Sequence, residues 1–336
     1  MFISGVNMQY MHGGDIYRAI NMFGGNKNEW LDLSTCINLS PYPLPNIHES
    51  SWRRLPEVDK ILELLQVARG CYSIPDKLNV YCCAGVQSVI QILPLVTPAS
   101  TMLICEPTYS EYKICFERLK WNIKSFSLEN LPFISLENKC VLAVNPNNPT
   151  GMVWPPEVLH DISTRAKLLI IDESFMDTYP DGSFVKYINT DNVIVLRSCG
   201  KFYGLAGARL GFAISSSQYI SSITKLLGPW PVSGPAIDIG IAALSDKKWS
   251  QDNIKSLQER RNQLDDIALS NGWKLVGGTH LFGLYETEEA AIVRNILAKQ
   301  YIWIRTFNFS DKWIRIGTPG LPQHITRLEQ ALRHSL

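Results

Sequence analysis

Long apolar runs are missing from this chain of 336 residues. Stretches such as KLLIID fall far short of the about 20 residues that a bilayer-spanning helix needs, so no membrane anchor is expected. Excess charge of one sign is missing too. Lys and Arg number 32 against 31 Asp and Glu, a net +1, and the cations are scattered. That argues against a basic face for nucleic acid or for a membrane surface. The first residues, MFISGVNMQYMHGGD, show no charged start followed by an apolar run, so no secretory leader is expected. The eight cysteines, at 36, 71, 82, 83, 105, 115, 140 and 199, follow no CxxC or Cys/His ligand spacing, and no metal site is expected. Several fall in runs that read as buried strands, where a free thiol behaves as a small hydrophobe. A reducing cytoplasm fits this usage. The chain also lacks internal repeats and low-complexity tracts.

What the chain has is apolar mass in short, regularly punctuated pieces. Hydrophobic residues make up 46% and charged residues 19%, ordinary for a soluble globular protein and enough for about two domains. Between about residues 60 and 225, LNVYCCAG, TMLICEPTY, CVLAVNPNNPTG, AKLLIIDESF and NVIVLRSCGK each read as a strand bounded by Gly, Pro or Asn. VQSVIQILPLV and SEYKICFERLK, between them, carry helical periodicity. Near-continuous apolar strands interleaved with helices argue for an α/β domain whose mainly parallel sheet is covered on both faces. The breaker-rich GPWPVSG, residues 228–234, is a plausible boundary. Beyond it, a long helical pattern and the shorter strands THLFGLYE, YIWIRTF and WIRIGT read as a smaller α+β domain. The expected division is an N-terminal arm over 1–45, a large domain over 46–228 and a small domain over 229–336.

In such a sheet, ligands bind beyond the carboxyl ends of the strands, and the chemistry-bearing residues cluster there. AGVQSVIQ (84–91) is a small-residue turn opening a helix, whose free N–H groups suit a phosphate and equally suit any strand-to-helix turn. EPTYSEY puts Tyr109 just past a strand end, where an aromatic face can stack on a flat ring or serve the core. NPNNPTG (145–151) is an irregular loop that presents Asn148 as a rigid donor. Asp172 follows four apolar residues, and a buried carboxylate wants a cation, such as a protonated ring nitrogen, unless it merely caps a helix. SCGKFYGLAGARLGF (198–212) sets Lys201 among small residues, with Ser198 before it and Arg209 after it. A protected lysine of lowered pKa can capture a carbonyl, and Ser198 with Arg209 can meet a phosphate dianion.

That order of phosphate turn, stacking aromatic, Asn loop, buried Asp and Ser-x-x-Lys with a downstream Arg closely resembles the fold-type I pyridoxal-phosphate enzymes of the class I/II aminotransferase group. The resemblance implies their α/β fold, with a mainly parallel large domain and a smaller α+β domain. It implies pyridoxal 5'-phosphate as cofactor, with Lys201 taking its aldehyde and exchanging protons at the substrate Cα. It implies Asp172 against the ring nitrogen, Tyr109 stacked on the ring and Asn148 donating to the ring oxygen. Gly85, the Val86 backbone, Ser198 and Arg209 would hold the cofactor phosphate, and Arg315 the substrate α-carboxylate.

HGGDIYRA (12–19), LDLSTCINLSPYPLP, GGTHLFGLYE and WIRIGTPGLP narrow the likeness, from residue 12 to about 330. They are similar to the threonine-phosphate decarboxylase family of cobalamin biosynthesis, close kin of the histidinol-phosphate aminotransferases. By that likeness His12, Gly13, Asn38, Asn148, Arg305 and Arg315 would surround a small phosphorylated amino acid, in a cytoplasmic homodimer that binds neither membrane nor nucleic acid. Four positions depart from the family pattern. Cys36 stands where relatives carry an Asn, and Val86 where a hydroxyl residue is common. Leu55 stands where many have a tyrosine reaching the neighbouring subunit, and Phe175 replaces a tyrosine near the ring oxygen. The expected activity is decarboxylation of L-threonine O-3-phosphate to (R)-1-amino-2-propanol phosphate and CO2. A histidinol-phosphate-type aminotransferase, which shares the cofactor residues, and a non-catalytic cofactor-binding module are the alternatives.

Overall fold

A computed structural model describes residues 12–97 and 101–333. Residues 1–11, part of the expected arm and of the leader reading, lie outside the described residues. The central sheet has seven strands among the described residues: β1 (Asn79–Cys83), β2 (Thr101–Cys105), β3 (Asn122–Phe126), β4 (Lys139–Val144), β5 (Leu168–Asp172), β6 (Val193–Ser198) and β7 (Gly211–Ser215). Their order is β1-β7-β6-β5-β4-β2-β3. Pairing is parallel from β3 through to β6, and β7 runs antiparallel to both β6 and β1. The carboxyl ends of β1, β2, β4, β5 and β6 therefore share one edge of the sheet.

β5 shows why these runs become strands. All five of its residues are buried, because neighbours pair on both sides and helices cover both faces. Truncating Ile170 to alanine there would cost about 2–5 kcal/mol. β3 was not expected: NIKSF is an edge strand with only Phe126 buried. β7 was also missed, because GFAIS follows directly on the glycine-rich segment. The helical pattern after β1 breaks into Val86–Ile90 and Leu93–Val96, with Pro94 in the first turn of the second.

A second, antiparallel sheet has the order Arg305–Phe307, Ser310–Gly317, Phe282–Glu286, Lys274–Thr279. Helices Lys247–Ser270 and Ala290–Lys299 pack on it, and Pro322–Arg333 packs on both of these helices. The arm fastens to this layer. Asp15 caps the helix Ile16–Phe23 by accepting from Arg18 N, and Ala19 and Trp30 pack with Ala298 and Trp303. Leu31–Asp32 then pairs with Ile302–Trp303. Past the breaker run, Gly234–Ser245 first packs along Val58–Cys71, a helix that lies against β1. Among the described residues, no helix is long and apolar enough to cross a membrane.

Candidate active site

The shared strand edge opens into a cavity of about 410 Å³ between the two sheets. His12, Gly13, Gly85, Val86, Tyr109, Asn148, Asp172, Ser198, Lys201, Arg209, Arg305 and Arg315 all line it. Residues from the arm, from five central strand ends, from the glycine-rich segment and from the second sheet thus converge on one space.

One end of the cavity is a cradle for an anion. Gly85 (φ +74) turns the chain from β1 into the next helix, and a Cβ there would lie 2.5 Å from Arg209 Nη2. Only a glycine lets the guanidinium lie against that turn. Ser198, at the end of β6, and Gly200 complete the walls. Val86 brings no hydroxyl, so it can contribute only its backbone N–H.

At the end of β5, both oxygens of Asp172 have partners. Oδ1 accepts from Ser174 N at 2.9 Å, a local turn, and Oδ2 accepts from the Tyr112 hydroxyl at 2.8 Å. Burial first, then Asp172, raises the Tyr112 pKa well above the ordinary phenol value, so Tyr112 keeps its proton and donates. Tyr112 escaped sequence reading although it lies in the quoted EPTYSEY, three residues after Tyr109.

Lys201 follows Ser198 by three residues and points its Nζ to the carbonyl of Thr35 at 3.4 Å. Burial is the largest cause of a lowered pKa. Arg315 and Arg209 push the same way, while Cys36 and Asp172 oppose. An enclosed amine that sheds its proton readily is suited to attack a carbonyl and then to carry a proton. The Phe175 ring centroid lies 5.8 Å from Nζ and packs edge-on against Phe282. It offers that amine no hydroxyl.

The NPNNPTG loop is pinned by its other asparagines. Asn147 donates to Pro107 O at 2.9 Å and to Thr150 Oγ1 at 2.8 Å, and accepts from Thr108 Oγ1 at 2.6 Å. Asn145 accepts from Trp154 N at 3.0 Å. Asn148 is left facing the cavity, where its Oδ1 accepts from Arg315 Nη1. Arg315 Nη2 donates to Ser34 O at 2.8 Å, and its buried Nε has no partner among the described residues. Arg305 stands on the next strand, opposite Arg315 in register. Burial pushes its pKa down to about 10, and Arg315 and Arg18 add to that shift. It stays cationic at neutral pH.

Asn38 stands outside the residues that line the cavity: Nδ2 donates to Phe202 O at 3.0 Å and to Asn253 Oδ1 at 3.1 Å, and Oδ1 accepts from Ser40 N at 2.9 Å. Its amide staples the arm to the segment after Lys201. Ser34, Thr35 and Ile37 supply the wall instead. Cys36 is buried at φ +56. Gln87, Thr108 and the Phe307–Phe309 turn also line the cavity, and nothing in their spacing marked them beforehand.

The profile of a family described as Aminotransferase class I and II matches residues 57–332. A threonine-phosphate decarboxylase from Sinorhizobium sp is 37% identical over 328 residues, covering 96% of this chain and 97% of that protein. One from Pseudomonas aeruginosa is 34% identical over 327 residues, covering 96% of each. Among solved structures, histidinol-phosphate aminotransferase from Sinorhizobium meliloti in complex with pyridoxal-5'-phosphate superposes with a TM-score of 0.81 at 19% identity. It covers 100% of this chain and 98% of that one. At that identity the likeness speaks for the fold alone.

Proposed function

The chain belongs to the aminotransferase class I and II family, and from that premise we infer a pyridoxal-phosphate-dependent decarboxylase. It converts L-threonine O-3-phosphate to (R)-1-amino-2-propanol phosphate and CO2. Its full-length likeness to two threonine-phosphate decarboxylases carries the reading.

The cavity fits the cofactor. The Gly85–Arg209 cradle, space that a Cβ would fill, suits the phosphate together with Ser198 and the Val86 N–H. Asp172 suits a protonated ring nitrogen, Tyr109 a ring face and Asn148 the ring oxygen. When bound, the cofactor supplies an electron sink that labilises whichever Cα bond stands perpendicular to its ring.

The protein's part is to choose that bond. Arg315 would take the α-carboxylate, since it lies beside Asn148 and its buried Nε–H is a donor that a carboxylate can satisfy. Arg305, His12 and Gly13 would take the substrate phosphate. Anchoring both ends fixes rotation about the Cα bonds, a use of remote binding energy. The Cα–carboxylate bond breaks, CO2 leaves, and Lys201 returns a proton to the electron pair left at Cα. Lys201 and Asp172, with Tyr109 as the ring's wall, are the catalytic group.

We also propose a cytoplasmic homodimer. The exposed apolar side chains Trp52, Leu55, Val58 and Leu62 follow one another along the chain between 52 and 62 and suit burial against a second copy. The arm, large and small divisions at 1–45, 46–228 and 229–336 remain the reading of domain organisation.

The test is to incubate the holoenzyme with threonine phosphate and no amino acceptor and to measure CO2. Turnover that depends strictly on 2-oxoglutarate, with no CO2, would instead make the protein an aminotransferase.

A further inference from the structure

The arm and the helix Glu111–Arg118 meet beside the cavity, through a contact that the cofactor chemistry does not use. His12 Nε2 lies 2.7 Å from Glu111 Oε1, and Gln87 Nε2 donates to Glu111 Oε2 at 2.8 Å. Gln87 Oε1 in turn accepts from the Tyr109 hydroxyl at 3.3 Å. The His12 and Tyr109 rings stand 5.6 Å apart, tilted by 46°. His12, Gln87 and Tyr109 line the cavity, and Glu111 is not among its lining residues.

The Glu111 side chain is only 15% exposed. An enclosed carboxylate is costly unless donors meet it, and here each oxygen has a partner from a different layer of the protein. His12 belongs to the arm, whose helix is anchored on Ala298 and Trp303 beside the second sheet. Gln87 and Glu111 stand on helices that follow β1 and β2 of the central sheet. The carboxylate therefore joins two layers that otherwise face each other across the cavity, as Arg315 and Asn148 join them elsewhere in its lining.

We propose that Glu111 is a positioning residue: it latches the arm across the cavity and so holds His12 ready for the substrate's phosphate. The proposal rests on the reading of His12 as a phosphate-binding residue. Glu111 touches neither the reacting atoms nor the cofactor cradle. Its contribution is preorganisation of the phosphate anchor, which strengthens substrate binding and, through that anchor, helps to hold the Cα bonds in orientation.

The experiment uses the holoenzyme and the variants E111A, E111Q, H12A and E111A/H12A. E111A is expected to raise KM for threonine phosphate about tenfold, with a smaller fall in kcat and the visible absorbance of the bound cofactor unchanged. H12A raises KM as well, and the double variant raises it no further than the worse single variant, because the two act as one unit. E111Q, which keeps a hydrogen-bonding oxygen, recovers part of the loss. A readout independent of turnover is hydrogen–deuterium exchange over residues 13–19, which should quicken in E111A without substrate. Additive KM penalties, a loss confined to kcat, or unchanged exchange in the arm would overturn the latch. If the wild-type holoenzyme releases no CO2 while exchange in the arm still quickens in E111A, the substrate reading fails and the latch stands.

Discussion

The Tyr112 hydroxyl donates to Asp172 Oδ2 at 2.8 Å, with both side chains buried. This bond ties the helix after β2 to the carboxyl end of β5, and so fixes the one acid among the described residues that line the cavity. Tyr112→Phe keeps the ring and removes the donor, leaving a buried carboxylate one bond short. The apoprotein should lose about 1–3 kcal/mol of stability. A bound pyridinium would compensate the same carboxylate, so the melting shift on adding pyridoxal phosphate should be larger in the variant than in wild type. Paired melts with and without the cofactor decide this, and equal shifts would count against the assignment of Asp172.

Arg315 has its two terminal nitrogens committed, to Asn148 and to Ser34 O. A lysine has the charge but not the fork, and cannot hold those two acceptors while meeting a carboxylate. Arg315→Lys should therefore cost about 2–5 kcal/mol in kcat/KM, about thirtyfold to several thousandfold, because it also leaves a buried acceptor unpaired. Cofactor retention, which depends chiefly on the Gly85–Arg209 cradle, Asp172 and Lys201, should change little. Loss of the cofactor's absorbance in this variant would show that Arg315 serves the fold before the substrate.

The lowered Lys201 pKa carries a signed pH dependence. In the unfolded chain the amine titrates at its ordinary value of 10.5, and in the fold below it, chiefly through burial. Below the folded pKa the lysine is charged in both states, and burial of that charge destabilises the fold to the full extent. Between the two values the unfolded state binds more protons, so this destabilisation is relieved as pH rises. Apoprotein carrying Lys201→Met should accordingly be more stable than wild type at neutral pH, and the gap should close towards pH 10.5. Denaturation of both apoproteins at several pH values checks it. A gap that stays constant or widens with pH contradicts the burial of the amine.

How much of this was legible beforehand follows from where the free energy is local. CVLAV, KLLIID and NVIVL announce strands because a parallel strand covered on both faces is apolar throughout. NIKSF announces nothing, since an edge strand needs only Phe126 inside. The residues around Lys201 were legible as chemistry because each is an unusual type at a strand end. The stapling by Asn38 was not legible because an amide serves equally to bind a ligand or to join two segments, and its partner Asn253 lies 215 positions away. Tyr112 and Glu111 stayed hidden for a related reason. Each works through another residue, and only the tertiary contact reveals the pairing.

The Asn148 loop reaches Arg315 because it lies directly on a strand of the second sheet. A Cβ on Gly277 would lie 2.2 Å from Thr150 O, and one on Gly151 would lie 2.1 Å from Gly278 O. Both obstacles are backbone atoms and cannot swing aside. Gly277→Ala must part the loop from the strand. Overpacking of this kind costs about 1–3 kcal/mol, and it also draws Asn148 away from Arg315. The variant should therefore melt lower and show a raised KM. Gly70→Ala makes the control, since its Cβ meets nothing within 4 Å on the helix Val58–Cys71. Alanine there should stabilise by about 0.5–1 kcal/mol and leave KM alone. If Gly277→Ala lowered the melting temperature but left KM at the wild-type value, the seam would be a matter of stability only. Asn148 and Arg315 would then hold their geometry by their own bond.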